Sequence, residues 1–169
     1  ATCQGYRDGS AWARGQAWGV YGTAMAYRYT KREAYISDFK HVTGYFLDHL
    51  PEDLVPYWDL EFGDGSGEPR DSSSASIAAC GMLEMAKYLN EEDAKYYTSI
   101  AKKIMKSVVE NYAVKSGAES NGLVLHSTYS KKSPYNTCTP EGVDECNIWG
   151  DYFYMEALTR LSKDWNPYW

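Results

Sequence analysis

The sequence predicts an all-α chain of stacked helical hairpins, the arrangement of an α/α toroid. Helical periodicity recurs along the chain, and no confident pair of strands can be read from it. A weak repeat of roughly 60–70 residues places an inner-type helix, a polar cap residue and an amphipathic helix in the same order each time. The 169 residues, 44% of them hydrophobic and 24% charged, are enough for one compact domain. We therefore treat residues 1–169 as a single unit.

Five helices are predicted, and they fall into two kinds. The helices over residues 11–29, 74–89 and 151–161 are apolar on most of their surface, which predicts an inner layer. The helices over residues 31–50 and 91–112 carry one apolar stripe each, which predicts an outer layer. Three such hairpins do not close a ring, and the third outer helix is missing or truncated. We therefore expect the chain to be part of a larger unit.

Cap residues and glycines mark the first helices. We expect Ser10 to cap the first helix, and Thr30 with Glu33 to form a capping box that starts the second. Asn90 is placed as the cap of the fourth helix. A stripe of glycines in the first helix predicts close approach of a neighbouring helix. The stripe consists of Gly15, Gly19 and Gly22.

Long connections over residues 51–73 and 113–148 are expected at the mouth of the toroid, since long loops in compact domains are usually functional. The first is crowded with carboxylates, including Asp59 and Asp71. Paired carboxylates can act as general acid and base, but an acidic, solvated loop is the alternative. His126 follows an apolar run, and we expect it to be packed rather than catalytic.

Arg14, Trp18 and Tyr21 lie on one face of the first helix. A guanidinium beside an indole could bind a sugar that carries a carboxylate. The alternative is a structural cation–π pair. Aromatic residues make up 15% of the chain, with 16 Tyr and 6 Trp, which suits either a wet sugar-binding groove or a helical core.

The composition excludes several classes of function. The net charge is -6, and no basic run offers a surface for nucleic acid. No apolar stretch approaches the ~20 residues of a membrane span. Cys80 lies in an apolar run, and the spacing of Cys138 and Cys146 is too wide for a zinc knuckle, so we expect no metal and no cofactor. We expect the cytoplasm as the location, with the periplasm as the alternative.

Six motifs carry a resemblance to a known family, in the same order along nearly the whole chain. They are Gln-Gly-Tyr at 4–6, Ser-Ala-Trp-Ala-Arg-Gly-Gln-Ala-Trp-Gly-Val-Tyr-Gly at 10–22, His-Leu-Pro-Glu-Asp at 49–53, Val-Pro-Tyr-Trp-Asp at 55–59, Pro-Arg-Asp-Ser-Ser at 69–73 and Gly-Asp-Tyr-Phe at 150–153. Together they resemble the unsaturated glucuronyl hydrolases. The related unsaturated rhamnogalacturonyl hydrolases share Trp-x-Arg-Gly but are less similar at the following Gln-Ala-Trp.

The resemblance implies an α/α barrel of six hairpins, of which this chain would be about the C-terminal half. It implies glycoside hydrolysis without a metal. An aspartic acid protonates the C4–C5 double bond of an unsaturated uronic acid, water adds, and the resulting hemiketal releases the partner sugar. The two catalytic aspartates of the family lie before the Trp-Ala-Arg-Gly motif, so we place no catalytic residue in this chain and expect it to be inactive alone.

What the resemblance carries over is substrate binding. The expected substrate-binding residues are Gln4, Trp12, Arg14 and Trp18. We expect further residues at the rim of the bowl, namely Tyr21, Trp58, Asp59, Arg70 and Asp71. Cys3 stands where the family pattern has His.

The expected partners are an unsaturated uronic-acid oligosaccharide and either the missing N-terminal half of the barrel or a second copy of the chain. No nucleic acid and no membrane is expected. Two alternatives to an enzyme stay open, a non-catalytic carbohydrate-binding helical module and a plain helical scaffold.

Overall fold

The computed structural model describes residues 2–116 and 120–166, and within them the chain is helical without any β-strand. The α-helices are α1 (Ala13–Thr30), α2 (Ala34–Asp48), α3 (Ser72–Met85), α4 (Glu91–Ser107) and α5 (Ile148–Ser162). A 3-10 turn follows α3 over Ala86–Tyr88, and a π-helical turn follows α4 over Val108–Tyr112. The predicted all-α class is confirmed.

The helices form the two predicted layers. Helix α3 lies between α1 and α5, while α2 packs on α1 and α4 packs on α3. All 14 residues of α3 are buried, as its apolar character on all sides predicts. The outer helices bury only one stripe each, with Phe39 and Phe46 on α2 and Tyr97 and Ile104 on α4. Because α1, α3 and α5 pack side by side and carry α2 and α4 on their outer side, they are the inner layer, although α1 and α5 also bury only one stripe each.

Two predicted helix starts are wrong because the hydroxyl groups of the expected cap residues have other partners. Ser10 lies outside α1, and its hydroxyl donates to the buried carboxylate of Asp59 at 2.7 Å. Thr30 is still the last residue of α1, and its hydroxyl donates back to the carbonyl of Ala26 at 2.7 Å. The same oxygen accepts from the amide of Arg32 at 3.4 Å rather than from the amide of Glu33, so no capping box forms, and α2 begins after Glu33 without a side-chain cap.

The N-terminal ends of the inner helices meet at one end of the molecule. Arg14, in the first turn of α1, donates to the hydroxyl of Ser73 in the first turn of α3 at 3.1 Å. Gly150, in the first turn of α5, lies so close that a Cβ on it would be 3.6 Å from the Cβ of Ser73. The connections that precede α3 and α5 end here, so this end is the predicted mouth.

A buried carboxylate joins the opposite ends of the same three helices. Glu84 of α3 accepts hydrogen bonds from Arg28 of α1 at 2.9 Å and from Arg160 of α5 at 2.5 Å. Lys87 and Tyr88 also donate to it, at 3.0 and 2.9 Å. Burial alone would raise the pKa of Glu84, but these hydrogen bonds outweigh burial and lower the pKa to about 2. The carboxylate is therefore ionised and fully paired inside the fold.

Of the glycine stripe of α1, only Gly19 serves the predicted close approach of a neighbouring helix, since a Cβ there would lie 2.9 Å from Val42 of α2. Gly15 makes room for a nearby indole ring, Gly19 faces α2, and Gly22 faces open space. The close approach between inner helices depends instead on Gly81 of α3, where a Cβ would lie 2.8 Å from the backbone of Tyr21. The stripe therefore predicted the contact with α2, and it did not reveal the contact between the inner helices α1 and α3.

Replacing Gly81 by Ala is expected to destabilise the fold by about 1–3 kcal/mol, because the methyl group would force α1 and α3 apart. The matched change Gly22→Ala meets open space within a helix and should stabilise the fold by about 0.5–1 kcal/mol. Urea unfolding followed by circular dichroism measures both. Equal effects of the two substitutions would contradict the close packing at Gly81.

Candidate functional site

Arg14 is the centre of a buried polar cluster at the mouth. Its side chain is 2% exposed, and Nη1 forms an ion pair with Oδ2 of Asp71 at 3.0 Å. The same nitrogen donates to the hydroxyl of Ser73 at 3.1 Å and to the carbonyl of Thr128 at 2.9 Å. Nη2 donates to the carbonyl of Tyr129. Arg14 thus ties α1 to the start of α3 and to the long connection before α5.

Asp71 is the fully buried partner of this guanidinium. Its Oδ1 accepts hydrogen bonds from the Ser73 hydroxyl at 2.6 Å and from the Thr128 amide at 3.4 Å. Burial raises the pKa of Asp71 above its ordinary value, although Arg14 and Ser73 act in the opposite direction. Asp71 therefore lies behind the surface rather than on the predicted rim, and its contacts hold Arg14 in place.

Three aromatic rings surround the guanidinium of Arg14. Its central carbon lies 4.9 Å from the ring of Trp12, 5.5 Å from Trp149 and 5.8 Å from Tyr129. Tyr129 and Trp149 stack on each other, 5.3 Å apart and within 6° of parallel. Tyr129 is 44% exposed, and the two indoles are partly exposed. We call Trp12, Tyr129 and Trp149 the aromatic cluster.

The sequence analysis missed Tyr129 and Trp149. They come from the long connection before α5 and from the first turn of α5, and no spacing relates them to Arg14. The sequence feature that could have indicated them is the long connection before α5, which contains several aromatic residues inside a compact fold. Amphipathic rings with one free face can stack on the apolar face of a sugar.

Two of the predicted substrate-binding residues, Trp18 and Gln4, are not part of the aromatic cluster. Trp18 is one helical turn beyond Arg14, partly exposed, with its ring edge-to-face against Phe153 of α5 at 5.2 Å. Gln4 is partly exposed in the segment that precedes α1. That segment is fixed because the Asn136 side chain donates to the carbonyl of Gly5 at 2.9 Å.

Trp58 and Asp59 do not line the mouth, and their predicted place on the rim is wrong. Trp58 is 1% exposed, and its indole nitrogen donates to Glu68 at 2.8 Å. Asp59 is fully buried and accepts from the amide of Tyr6 at 2.8 Å and from the hydroxyl of Ser10 at 2.7 Å. Asp59 is therefore not a solvated carboxylate, because these donors replace the water that it needs, whereas other carboxylates of the same loop are exposed.

Arg70 and Tyr21 are half-buried and already have protein partners. Arg70 lies over the ring of Tyr57 at 4.0 Å and pairs with Asp53 at 3.0 Å, which fixes the connection before α3. Tyr21 donates to Glu156 at 3.3 Å and packs against Phe153. Both side chains position other elements, and neither belongs to the aromatic cluster.

His126 is not packed, contrary to expectation. Its side chain is 48% exposed, its backbone has a positive φ of 61°, and its Nδ1 lies 2.6 Å from Asp144. Over residues 2–116 and 120–166, no group of three or more His, Cys, Asp or Glu side chains could hold a metal ion. No helix in those stretches has both the length and the apolar character that crossing a bilayer requires.

Comparison with known proteins gives consistent results. No protein-family model matches the chain. It is 51% identical to an unsaturated chondroitin disaccharide hydrolase of Streptococcus pyogenes serotype M1, over 99% of this chain and 41% of that protein. It is 38% identical to an unsaturated glucuronyl hydrolase of Bacillus sp. (strain GL1), over 99% of this chain and 44% of that protein. A crystal structure of an unsaturated glucuronyl hydrolase variant from Streptococcus agalactiae, in complex with dGlcA-GalNAc6S, superposes with a TM-score of 0.91, at 48% identity, over 100% of this chain and 44% of that one.

The layered helical hairpins of this chain have the same fold as the corresponding part of that unsaturated glucuronyl hydrolase structure. The relatives that the chain matches are unsaturated glucuronyl hydrolases and unsaturated chondroitin disaccharide hydrolases, in agreement with the resemblance that the motifs carry. The chain spans somewhat less than half the length of the relatives that it matches. That share is consistent with the predicted C-terminal half.

Proposed function

We propose that this chain supplies the sugar-binding face of an unsaturated glucuronyl hydrolase, and that the rest of the barrel supplies the proton donor. The reaction would be hydration of the C4–C5 double bond in an unsaturated uronyl disaccharide of the chondroitin type. The observation that carries the proposal is the aromatic cluster around Arg14, placed where the inner helices begin. The identity to chondroitin disaccharide hydrolases supports the choice of substrate.

The electrostatics of the mouth favour an acidic sugar. Helices α1, α3 and α5 all direct their N-terminal ends to it, and helix N-termini attract anions. The exposed face of Tyr129 offers a stacking surface for a sugar ring beside this positive region. Arg14 contributes through the rings and carbonyls that it holds, since its own side chain is buried.

The carboxylates that could have served as proton donors already accept hydrogen bonds from groups within the fold. Asp59 and Asp71 are fully buried with several donors each. Asp151 accepts from the amides of Leu123 at 2.9 Å and Val124 at 3.1 Å. A general acid must reach the reacting carbon. We therefore propose that the catalytic acid is outside this chain.

An exposed apolar stripe on α5 supports a place inside a larger barrel. Ile148, Tyr152 and Met155 recur at helical spacing and are 71%, 38% and 57% exposed. The natural occupant of this stripe is a helix from the remaining part of the barrel, and a second copy of the chain is the alternative.

We assign the protein to the cytoplasm, with the periplasm as the alternative. The four cysteines carry free thiols, which suits a reducing compartment.

The test is to titrate the purified chain with an unsaturated chondroitin disaccharide. Tryptophan fluorescence should change and saturate, because the partly exposed indoles flank the binding face. The ultraviolet absorbance of the C4–C5 double bond should stay constant, because the chain lacks the acid. Absence of any fluorescence change would favour the helical scaffold. Steady loss of absorbance would place the catalytic carboxylate in this chain and contradict the proposal.

A matched pair of variants makes the binding test specific. Tyr129→Ala removes the exposed ring of the aromatic cluster and should abolish the saturable signal. Tyr96→Ala removes a ring that is similarly exposed, 54%, on the outer helix α4 and should leave the signal intact. If both variants bound the disaccharide equally well, the aromatic cluster would not be the site that recognises the sugar.

A further inference from the structure

The segment before α1 runs alongside residues 133–138 and is held there by a series of hydrogen bonds. The amide of Thr137 donates to the carbonyl of Thr2 at 3.4 Å. The side chain of Asn136 donates to the carbonyl of Gly5, and the hydroxyl of Ser133 donates to the carbonyl of Tyr6. Two stretches that are more than 120 residues apart in sequence are thereby kept in a fixed register.

Two cysteines come together within this register. The thiol of Cys138 contacts the carbonyl oxygen of Cys3, so the two residues are direct neighbours. Cys3 is exposed, whereas Cys138 is half-buried. Burial and the nearby Cys3 thiol raise the pKa of the Cys138 thiol. Cys3 is therefore the thiol that a reagent from solution meets first.

The remaining cysteines are separated from this pair. Cys80 is fully buried in α3, with its sulfur 3.5 Å from the carbonyl of Phe153. Cys146 lies beside Ser120, with 3.5 Å between sulfur and hydroxyl. Both are held by elements other than the segment before α1.

We propose that Cys3 and Cys138 form a reversible disulfide that fastens the segment before α1 to residues 133–138. The oxidant is a small-molecule disulfide of the glutathione class. The thiolate of Cys3 attacks one of its sulfurs and expels one thiolate. The thiolate of Cys138 then attacks Cys3 in the mixed disulfide and expels the second. Two protein thiols lose two protons and two electrons, and one glutathione disulfide becomes two thiols.

The disulfide would act on the residue that follows Cys3. Gln4 lies between Cys3 and Gly5, and both neighbours would then be anchored to the same loop. The bond therefore limits how Gln4 can move toward a sugar, a consequence that rests on the proposed function. Formation of the bond does not depend on any sugar.

The experiment is to incubate the chain with glutathione disulfide, block remaining thiols with an alkylating agent, and digest it without reduction. Trypsin alone leaves Cys138 and Cys146 in one peptide, so a glutamate-specific protease is added to cut after Glu141. The expected product is a cross-linked pair of peptides that contain Cys3 and Cys138, and a reductant should release it. A Cys138–Cys146 bond, or stable glutathione on Cys3 with no cross-link, would overturn the proposal.

Three variants make the assignment specific. Cys138→Ser should trap glutathione on Cys3, because the resolving thiol is gone. Cys3→Ser should abolish the cross-link and leave Cys138 largely unmodified. Cys146→Ser should form the cross-link at the wild-type rate. A cross-link that vanished in Cys146→Ser would reassign the pair. If the fully reduced chain did not bind the disaccharide, that result would speak against the proposed function and would leave the disulfide result unaffected.

Discussion

Replacing Glu84 by Gln is expected to lower the free energy of unfolding by about 3 kcal/mol or more. The substitution keeps the size of the side chain but leaves the buried Arg160 and the nearby Arg28 without the carboxylate that both contact. Arg160 keeps Glu156 as a partner at 2.8 Å, but the cluster loses one of its two carboxylates, and buried charge without full compensation is strongly destabilising. Because Glu84 joins the ends of all three inner helices, the whole inner layer should loosen together.

The pH dependence follows from the pKa of Glu84. The folded state lowers that pKa from 4.5 to about 2, so the ionised carboxylate stabilises the fold. The stabilisation is fully present above pH 4.5 and is lost as the pH falls through the folded pKa near 2. Acid unfolding should therefore be steeper between these pH values for the wild type than for Glu84→Gln.

Thermal and urea unfolding at neutral and acidic pH measure this prediction. The matched control is Glu92→Gln, which removes an exposed carboxylate from α4 and should change stability by less than about 0.5 kcal/mol. If Glu84→Gln were as stable as the control at neutral pH, the ion cluster would contribute nothing to the fold.

The layers of the fold could be predicted because burial leaves a direct mark on periodicity. Helix α3 must pack on all sides, and its sequence is apolar on all sides, whereas α2 shows a single stripe. The Asn90 cap was equally local, since its side chain accepts from the amide of Asp93 three residues later. Features that depend on near neighbours in sequence could be predicted, except at Ser10 and Thr30, whose hydroxyls bond to Asp59 and to the Ala26 carbonyl and do not cap a helix.

The polar interior could not be predicted because its partners are distant in sequence. Asp59 is satisfied by Tyr6 and Ser10, which lie about fifty residues earlier. Glu84 stands in an apolar helix and receives Arg28 and Arg160 from two other helices. No spacing rule relates such residues. From the sequence alone, a buried carboxylate in an acidic loop cannot be told from a solvated one, because its hydrogen-bond donors come from distant segments.

Distance in sequence also explains why only part of the candidate site was predicted. The helix face of Arg14 and Trp18 followed from the spacing of four residues. The rings of Tyr129 and Trp149 join it only through the long connection and α5. The sequence analysis left two roles open for Arg14, a ligand for a carboxylate or a structural cation–π partner. Burial and four protein acceptors favour the structural role.

Arg14→Lys is expected to weaken binding of the unsaturated disaccharide at least tenfold, through the aromatic cluster rather than through a lost contact with the sugar. A lysine keeps the positive charge beside Asp71, so the chain should fold. A single ammonium cannot replace the planar fork that reaches the carbonyls of Thr128 and Tyr129 together. The stacked pair of Tyr129 and Trp149 should then lose its fixed orientation.

Near-ultraviolet circular dichroism distinguishes the two roles of Arg14 before any sugar is added. If Arg14 positions the aromatic cluster, Arg14→Lys should lose the aromatic signal of the stacked pair, and the fluorescence titration should weaken with it. If Arg14 were a direct ligand, the aromatic signal would persist while affinity fell. Arg32→Lys, which replaces an exposed arginine just beyond α1, is the control and should change neither measurement.

Arg14→Ala should in addition destabilise the fold by about 3–5 kcal/mol, because it leaves Asp71 buried without its counter-charge.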